Sequence, residues 1–531
     1  MTASNPTATT PAASAPVAAT PPGAVEAYTQ ALSNPPRVID GAHARLLLAV
    51  TGAVAIATDL LFNGVAWGLN VPVWLGLLVL TIVGIGARIG RPLARDRVAV
   101  LVVAVLLSSV FAWHDSETLS VFGFLAAAAL VSLVVGFPGR QRMHLVSPVT
   151  LVLAAVSDAV AALTAEVRLV MAIEWRALRS TDGRRHIEPV LRALVIAVPL
   201  LLVFGALFAA ADAVFAQGID RIFAFDLSSI APHVFWLLLG AWLASGVLWN
   251  TVGVELPHDI VVSSPTTHAL GRAEIGIVLG SLALLFAAFV AVQLRYLFGG
   301  SEAVLSSLSL TYAEYARRGF FELVTAAVLL LPVLAALNWA RRQDAPSRRL
   351  FTGLTIVMAA LLAVVLASAW LRMTLYRETY GLTELRFYTS ATLIWVAATV
   401  LWFVALVIRD RIELMLVGAL TFAVVMLLAC YVVSPDALIV RTNLDLAQRN
   451  VRALDVEYAA SLGADALPPL IEVYSSLTPE DRCTVAFAAA RYRAADDPRS
   501  WNLARANVAS LLTVHPEVST AGCSAPARRF D

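Results

Sequence analysis

The sequence predicts an all-α fold: a polytopic α-helical integral membrane bundle of about eleven spans, with a small helical C-terminal extramembrane domain. Three observations predict it. First, 59% of the 531 residues are hydrophobic and 14% charged, where soluble domains carry about 45–50% and about 25%; mean hydropathy is +0.78. Second, apolar runs of about 20 residues recur along the chain, each long enough to cross about 30 Å of hydrocarbon. Third, all 38 basic residues are Arg and they cluster in alternate loops. A net charge of +1 argues against a strongly basic nucleic-acid binder, so no nucleic-acid partner is expected.

Residues 1–45 are rich in Ala, Pro, Thr and Ser. Such a segment buries too little surface to offset its ordering entropy, and it is expected to be disordered. No basic stretch followed by a short apolar core opens the chain, so a cleaved secretory signal is not expected. The polytopic region is placed at 46–433. Its spans are read at 46–66, 71–87, 98–113, 119–138, 190–213, 230–250, 273–295, 319–340, 350–371, 387–408 and 412–433. Residues 145–178 are apolar at first but carry Asp158, Glu166, Arg168, Glu174 and Arg176. They read as an interfacial amphipathic helix or a poorly inserted hairpin.

Orientation follows from Arg in short loops, which favours the cytoplasmic side. With the N-terminus inside, the inner loops hold Arg88, Arg91, Arg95 and Arg97, then Arg140 to Arg192, then Arg272, Arg341, Arg342, Arg348, Arg349, Arg409 and Arg411. The outer loops hold far fewer. Eleven spans then put the C-terminus outside, in the plasma membrane of a bacterial cell.

Residues 434–531 are mixed polar and apolar and read as a helical extracytoplasmic domain. Thr478-Pro479-Glu480-Asp481 has the order of an N-cap, a Pro at the first helical position and acids in the first turn. Cys430, in the last span, reads as a small buried apolar residue. Cys483 and Cys523 both fall in the tail, and an exported tail permits a disulfide between them.

No catalytic motif is present, and no metal ligand set or cofactor is expected. The eight His form no HExxH and no pair with metal spacing. GIGARIG (Gly84–Gly90) ends a span rather than opening a helix after a strand, so it reads as a helix end. Gly276 and Gly280 form a GxxxG, which suggests close helix packing within the chain or with a second copy. The informative residues are ionisable groups near membrane depth. These are Asp59, Asp212, Glu274, Arg295, Glu322 and Arg372, most of them near the outer half. They either form a polar cavity facing outside or snorkel and pair structurally, the reading favoured here. Two outer loops add Tyr312, Glu314, Arg317 and Arg318, then Arg372, Tyr376, Arg377, Tyr380, Arg386 and Tyr388. Arg kept outside against the general trend implies pairing with acids or an anion site, whereas Tyr there is ordinary interfacial anchoring. Pro199 and Pro332 lie inside two spans and are expected to kink them.

Several strings carry a resemblance. They are FAAADAVFA (Phe208–Ala216), TYAEYARRGFFELV (Thr311–Val324), YGLTELRFY (Tyr380–Tyr388), SPDALIVRTNLDLA (Ser434–Ala447) and LDVEYAASLGADALPPL (Leu454–Leu470). Over about 190–470 the chain resembles bacterial multi-span membrane proteins of domain of unknown function 4173, with the related 4153 group as second choice. The resemblance implies an integral membrane protein without an assigned activity or catalytic residue. It singles out Asp212, Tyr312, Glu314, Arg317, Gly381, Arg386, Asp436, Asn443 and Asp455.

The function read from the sequence is a non-enzymatic envelope interaction or sensory protein, with the lipid bilayer and an envelope protein as partners. A transporter of a small or anionic solute is the alternative. An enzyme acting on a lipid-linked substrate through Asp212 or Glu322 ranks third.

Overall fold

The computed structural model describes residues 41–90, 92–135, 227–253, 269–298, 320–341, 344–493 and 497–523. Among these residues the chain is helical throughout and contains no strand. In chain order the first helices are α1 (Gly41–Phe62), α2 (Asn70–Arg88), α3 (Arg95–Ser108, continued by a turn at Val110–Trp113), α4 (Glu117–Val135) and α5 (Leu227–Leu248). They are followed by α6 (Arg272–Phe298), α7 (Phe320–Ala340), α8 (Ala345–Tyr380), α9 (Glu384–Arg409) and α10 (Met415–Val433). Nine stretches among the described residues are helical, long and apolar enough to cross a membrane. The sequence count of eleven differs for two reasons. The run at 190–213 lies outside the described residues, as do 145–178 and Pro199. Of helix α7, which contains Pro332, only Thr325–Asn338 is described continuously with its side chains, a stretch too short to be counted among the nine.

The helices form two groups. Helices α1 to α5 share one core, which includes Leu78, Ile82, Leu107, Leu119 and Leu248. Helices α6 to α9 share a second, built on Ile275, Leu279, Met358, Val396 and Phe403. Helix α10 joins them. Its first residue, Met415, packs in the second core, while Cys430 and Tyr431 near its end pack in the first. The Tyr431 hydroxyl donates to the Leu107 carbonyl at 2.7 Å, satisfying the one polar atom of a buried ring.

Connections sort onto two faces. One carries the turns 63–69, 114–116 and 381–383 and the end of α10. The opposite face carries 89–94, 269–271, 341–344 and 410–414. There Arg341 and Arg348 both bond Asp410, at 3.3 Å and 3.1 Å. The Arg face gathers Arg88, Arg95, Arg272, Arg341, Arg348, Arg349, Arg409 and Arg411.

Two sequence expectations change. The stretch Leu371–Tyr388, read as an outer loop, is mostly helix. α8 runs 36 residues to Tyr380, about 54 Å at 1.5 Å per residue and so well beyond the hydrocarbon. It stops only where Gly381 adopts φ 74°. The Gly276–Gly280 pair does not mediate close packing within the described chain. A Cβ at Gly276 would meet Leu350 at an ordinary 3.6 Å, and one at Gly280 would meet nothing.

The tail folds as α11 (Pro435–Gln448), α12 (Val456–Ser461), α13 (Leu467–Glu472), α14 (Pro479–Ala490) and α15 (Leu503–Val514). Helix α14 begins at Pro479 with the Thr478 hydroxyl accepting from the Asp481 amide at 3.2 Å. The tail has its own core of Ile439, Leu467, Leu470, Val485 and Val508, which also takes in Leu382 from the α8–α9 turn.

Candidate functional site

The three-residue turn His114–Asp115–Ser116 between α3 and α4 is the densest polar site described. A turn this short leaves helix-end groups unsatisfied, and the tail supplies their partners. The Asp115 amide donates to Asp465 Oδ2 at 2.6 Å. Asp115 Oδ2 accepts from the Tyr492 hydroxyl at 2.7 Å and the Ala464 amide at 3.2 Å. Asp115 Oδ1 accepts from Arg505 Nε at 2.8 Å. His114 is buried, with Nδ1 2.9 Å from Asp465 Oδ1 and Nε2 2.8 Å from the Tyr431 carbonyl. Buried Asn502 donates to the carbonyls of Phe111 and His114, each at 2.8 Å, and its Oδ1 caps α15.

The same tail residues hold the α1–α2 turn. The Leu69 amide donates to the Trp501 carbonyl at 3.0 Å, Arg499 to the Leu60 carbonyl at 2.6 Å and Arg505 to the Trp67 carbonyl at 3.2 Å. Gly463 explains how the backbones approach so closely. Its φ is 98°, and a Cβ there would collide with the Asp115 carbonyl oxygen.

Behind this network lies Asp436, at the start of α11 and 1% exposed. Neither of its carboxylate oxygens has a hydrogen-bond partner, and the buried hydroxyls of Ser116 and Tyr388 are unbonded too. Burial pushes the Asp436 carboxyl up to about 7. The nearby Ser116 hydroxyl lowers it without completing a well-formed bond, Glu384 and Asp465 raise it, and His114 lowers it. An unpaired carboxylate in such a site is costly, which is why protonation is favoured.

A second seat holds the α8–α9 turn. Asn443 accepts from the Leu382 amide and donates to the Leu382 carbonyl, both at 2.8 Å. Asp455 caps α12 through the Tyr458 amide at 3.0 Å, and the Tyr458 hydroxyl accepts from the Glu384 amide at 3.0 Å. Gly381, Asn443 and Asp455 thus meet around one small pocket.

The sequence-flagged residues divide accordingly. Arg386 donates to the carbonyls of Tyr380 and Gly381, at 2.8 Å and 2.5 Å, and lies 4.1 Å over the Tyr376 ring. It therefore caps α8. The Tyr380 carbonyl also accepts from Arg452. Arg372 donates to Gln293 at 3.1 Å, beside Ser368, which bonds the same oxygen at 2.6 Å. Arg295 and Glu322 lie in α6 and α7, with side chains outside the description. Asp212, Tyr312, Glu314 and Arg317 lie outside the described residues. Cys483 and Cys523 are joined as a disulfide with Cα atoms 5.6 Å apart, and Cys430 is a buried free thiol. Sequence reasoning missed the tail's contacts on 114–116. It also missed the partner of Asp59, whose carboxylate lies 2.9 Å from His233 Nδ1.

Chemically, His114 and Asp115 are saturated. His114 has no free nitrogen, and Asp115 has three donors. A general base needs a free lone pair within reach of substrate, and neither group offers one.

Fold and site together define an all-helical protein with many membrane-length helices and a helical tail bonded to one face of them. The chain belongs to the family described as Domain of unknown function (DUF4153), whose model matches residues 101–473. No curated protein and no solved structure matches the chain. The first-choice resemblance to the 4173 group is thereby corrected to its second choice. The match also begins well before residue 190, taking in most of α3 and all of α4 and hence the 114–116 turn.

Proposed function

We propose that this is a multi-pass protein of the bacterial plasma membrane that acts by interaction or regulation rather than by catalysis. In this reading the N-terminus is cytoplasmic, the Arg face is the inner face and the tail lies outside. The positive-inside tendency supports that orientation, and an oxidising exterior suits the Cys483–Cys523 bridge. One observation carries the functional reading: the tail is bonded to the α1–α2, α3–α4 and α8–α9 turns through Asp115, Asp465, Arg505 and Asn443. A partner binding the tail would therefore act on the bundle through bonds already in place. The engagement of Arg372 and Arg386 by protein oxygens weighs against a site for an anionic solute.

The coupling is tested by hydrogen exchange on the full chain in nanodiscs, comparing wild type with Asp115→Asn combined with Arg505→Gln. Faster exchange is expected in α15 and also in the 63–69 turn. Loosening confined to the tail would defeat the coupling. Orientation is tested with a charged maleimide on cells whose disulfides have been reduced. Labelling of Cys483 and Cys523 in intact cells is expected, and labelling only after lysis would overturn the outside placement.

A further inference from the structure

A large cavity runs between α1, α2, α4 and α5, about 740 Å³ in volume, within the range of about 300–1,000 Å³ for small-molecule sites. Its wall is almost wholly apolar and aromatic, with Phe62, Trp67, Trp74, Phe124, Trp236 and Trp242 contributing. Phe62 stacks on Trp236 at 5.1 Å and meets Trp74 edge-on at 6.2 Å, while Trp67 faces Phe124 at 6.2 Å. Three of its polar side chains are bonded within the protein. Trp74 Nε1 donates to Thr58, which donates to the Val54 carbonyl, and Ser108 bonds the Val105 carbonyl. A cavity with such a wall does not hold water.

The lining runs from Phe235 in α5 to Asn250 in the helical turn that follows it, about 22 Å at about 1.5 Å per residue. That is an elongated slot within membrane-length helices, bordered by the hydrocarbon that surrounds them. At the tail-face end of α1, adjacent in sequence to the lining residues Thr58 and Phe62 but outside the cavity wall itself, sits a polar trio. Asp59 lies 2.9 Å from His233 Nδ1, and Asn63 Nδ2 lies 2.7 Å from the same nitrogen. The His233 side chain is 56% exposed. With Nδ1 taken up by Asp59 and Asn63, Nε2 is the ring nitrogen left for a further contact, near the end of α1.

We propose that this slot holds one acyl chain of a membrane glycerophospholipid from the tail-face leaflet, with its phosphate and glycerol ester at Asn63 and His233. A hydrocarbon slot with polar groups at one end matches an amphiphile with the same polarity. The leaflet that borders the slot supplies such molecules at high local concentration. The inference depends on the helices spanning a bilayer and not on which face is outside. Asp59 is a positioning residue here, fixing the His233 ring so that Nε2 meets the headgroup.

The test uses the full-length protein in nanodiscs of phosphatidylethanolamine and phosphatidylglycerol, spiked with a phospholipid carrying a diazirine in mid-chain. After illumination, adducts are mapped by peptide mass spectrometry. Labelling of α2, α4 and α5 slot residues should exceed that of the lipid-exposed α6 face, at Ile277, Leu284 and Leu285, by about tenfold. Ala128→Trp, which fills the slot, should abolish that excess. Ser132→Phe serves the same purpose if the first variant does not fold, with folding read from an intact Cys483–Cys523 bridge and an unchanged elution volume. His233→Ala should lower slot labelling while leaving α6 labelling unchanged. Equal labelling of slot and α6 face would overturn the proposal, as would an excess that survives Ala128→Trp. Recovery of slot residues linked to another peptide of this chain would also overturn it, since a protein segment would then be the occupant. Competition by a prenyl lipid but not by glycerophospholipid would overturn the assigned class.

Discussion

Replacing Asp436 by Asn isolates the energetics of the tail junction. The carboxyl is held at about 7, against an ordinary 3.8. At about 1.36 kcal/mol per pH unit, that gap amounts to about 4 kcal/mol, an upper bound because opening of the junction need not hydrate the group fully. The sign follows from proton counts. Between about pH 4 and 7 the folded state keeps a proton that the opened state has lost, so stability falls as pH rises through this window. It is full below about 4 and reaches its minimum above about 7. Asn keeps the shape of the neutral acid and removes the charge. Asp436→Asn should therefore match wild type below about pH 4 and be more stable by up to about 4 kcal/mol at pH 8. The assay is hydrogen exchange of the α11 amides in nanodiscs, corrected for intrinsic rates and read as the variant-minus-wild-type difference in opening free energy. Taking the difference cancels the other ionisable groups facing the site, Glu384, Asp465 and His114. A difference that stays flat from pH 5 to 8, or an Asn variant less protected at pH 8, would refute the reasoning.

Three further outcomes are expected. Cys483→Ser opens a loop of 40 residues, which should lower tail stability by about 4 kcal/mol in the chain-entropy account, measured by urea unfolding of the tail under oxidising and reducing conditions. Gly463→Ala places a Cβ against the Asp115 carbonyl at a positive φ and should loosen the junction by about 2 kcal/mol or more, read as protease sensitivity after α12. Arg386→Gln removes the charged cap from the end of α8 and should cost about 1–2 kcal/mol, read as faster exchange at residues 376–382 with α11 unaffected.

The membrane helices were legible because each carries its own signal. An apolar run of sufficient length needs no distant partner to be recognised, and Gly41–Phe62, Arg272–Phe298 and Met415–Val433 fall within a few residues of the runs in the sequence. The start of α14 was legible for the same local reason, in Thr478 and the acids that follow it. The junction was not. Asp115 and Asp465 are 350 residues apart, each an unremarkable acid in a short turn, and no periodicity or spacing links them. Asp436 stood out only as part of a string that carries the family resemblance. The string showed neither that the carboxyl is sealed from water nor that Ser116 and Tyr388 face it. Likewise Asp59 was visible as an acid within a span, but His233 lies in a different apolar run, and only the packing of α1 against α5 brings the two together.

The Arg residues of the tail face sharpen how the topology signal should be read. Arg372, Arg377 and Arg386 run against the general placement of Arg, and by count alone they weaken the assignment of faces. The bonds of Arg372 and Arg386 remove much of that weight. The last carbonyls of a helix attract a cation wherever the helix ends. α8 ends at Tyr380 with Arg386 donating to the carbonyls of Tyr380 and Gly381, and with Arg452 from the tail donating to that of Tyr380. Arg372 is likewise spent on Gln293 of α6. An Arg recruited to a helix end or a neighbouring amide is placed by that local partner, not by resistance to translocation. Such residues should be discounted before charge is compared across the faces. Once they are, the Arg face at 88–95, 272, 341–349 and 409–411 holds more of the loop Arg among the described residues. The remaining charges at the tail face, Asp115, Asp465 and Arg505 among them, belong to the bonds that hold the tail.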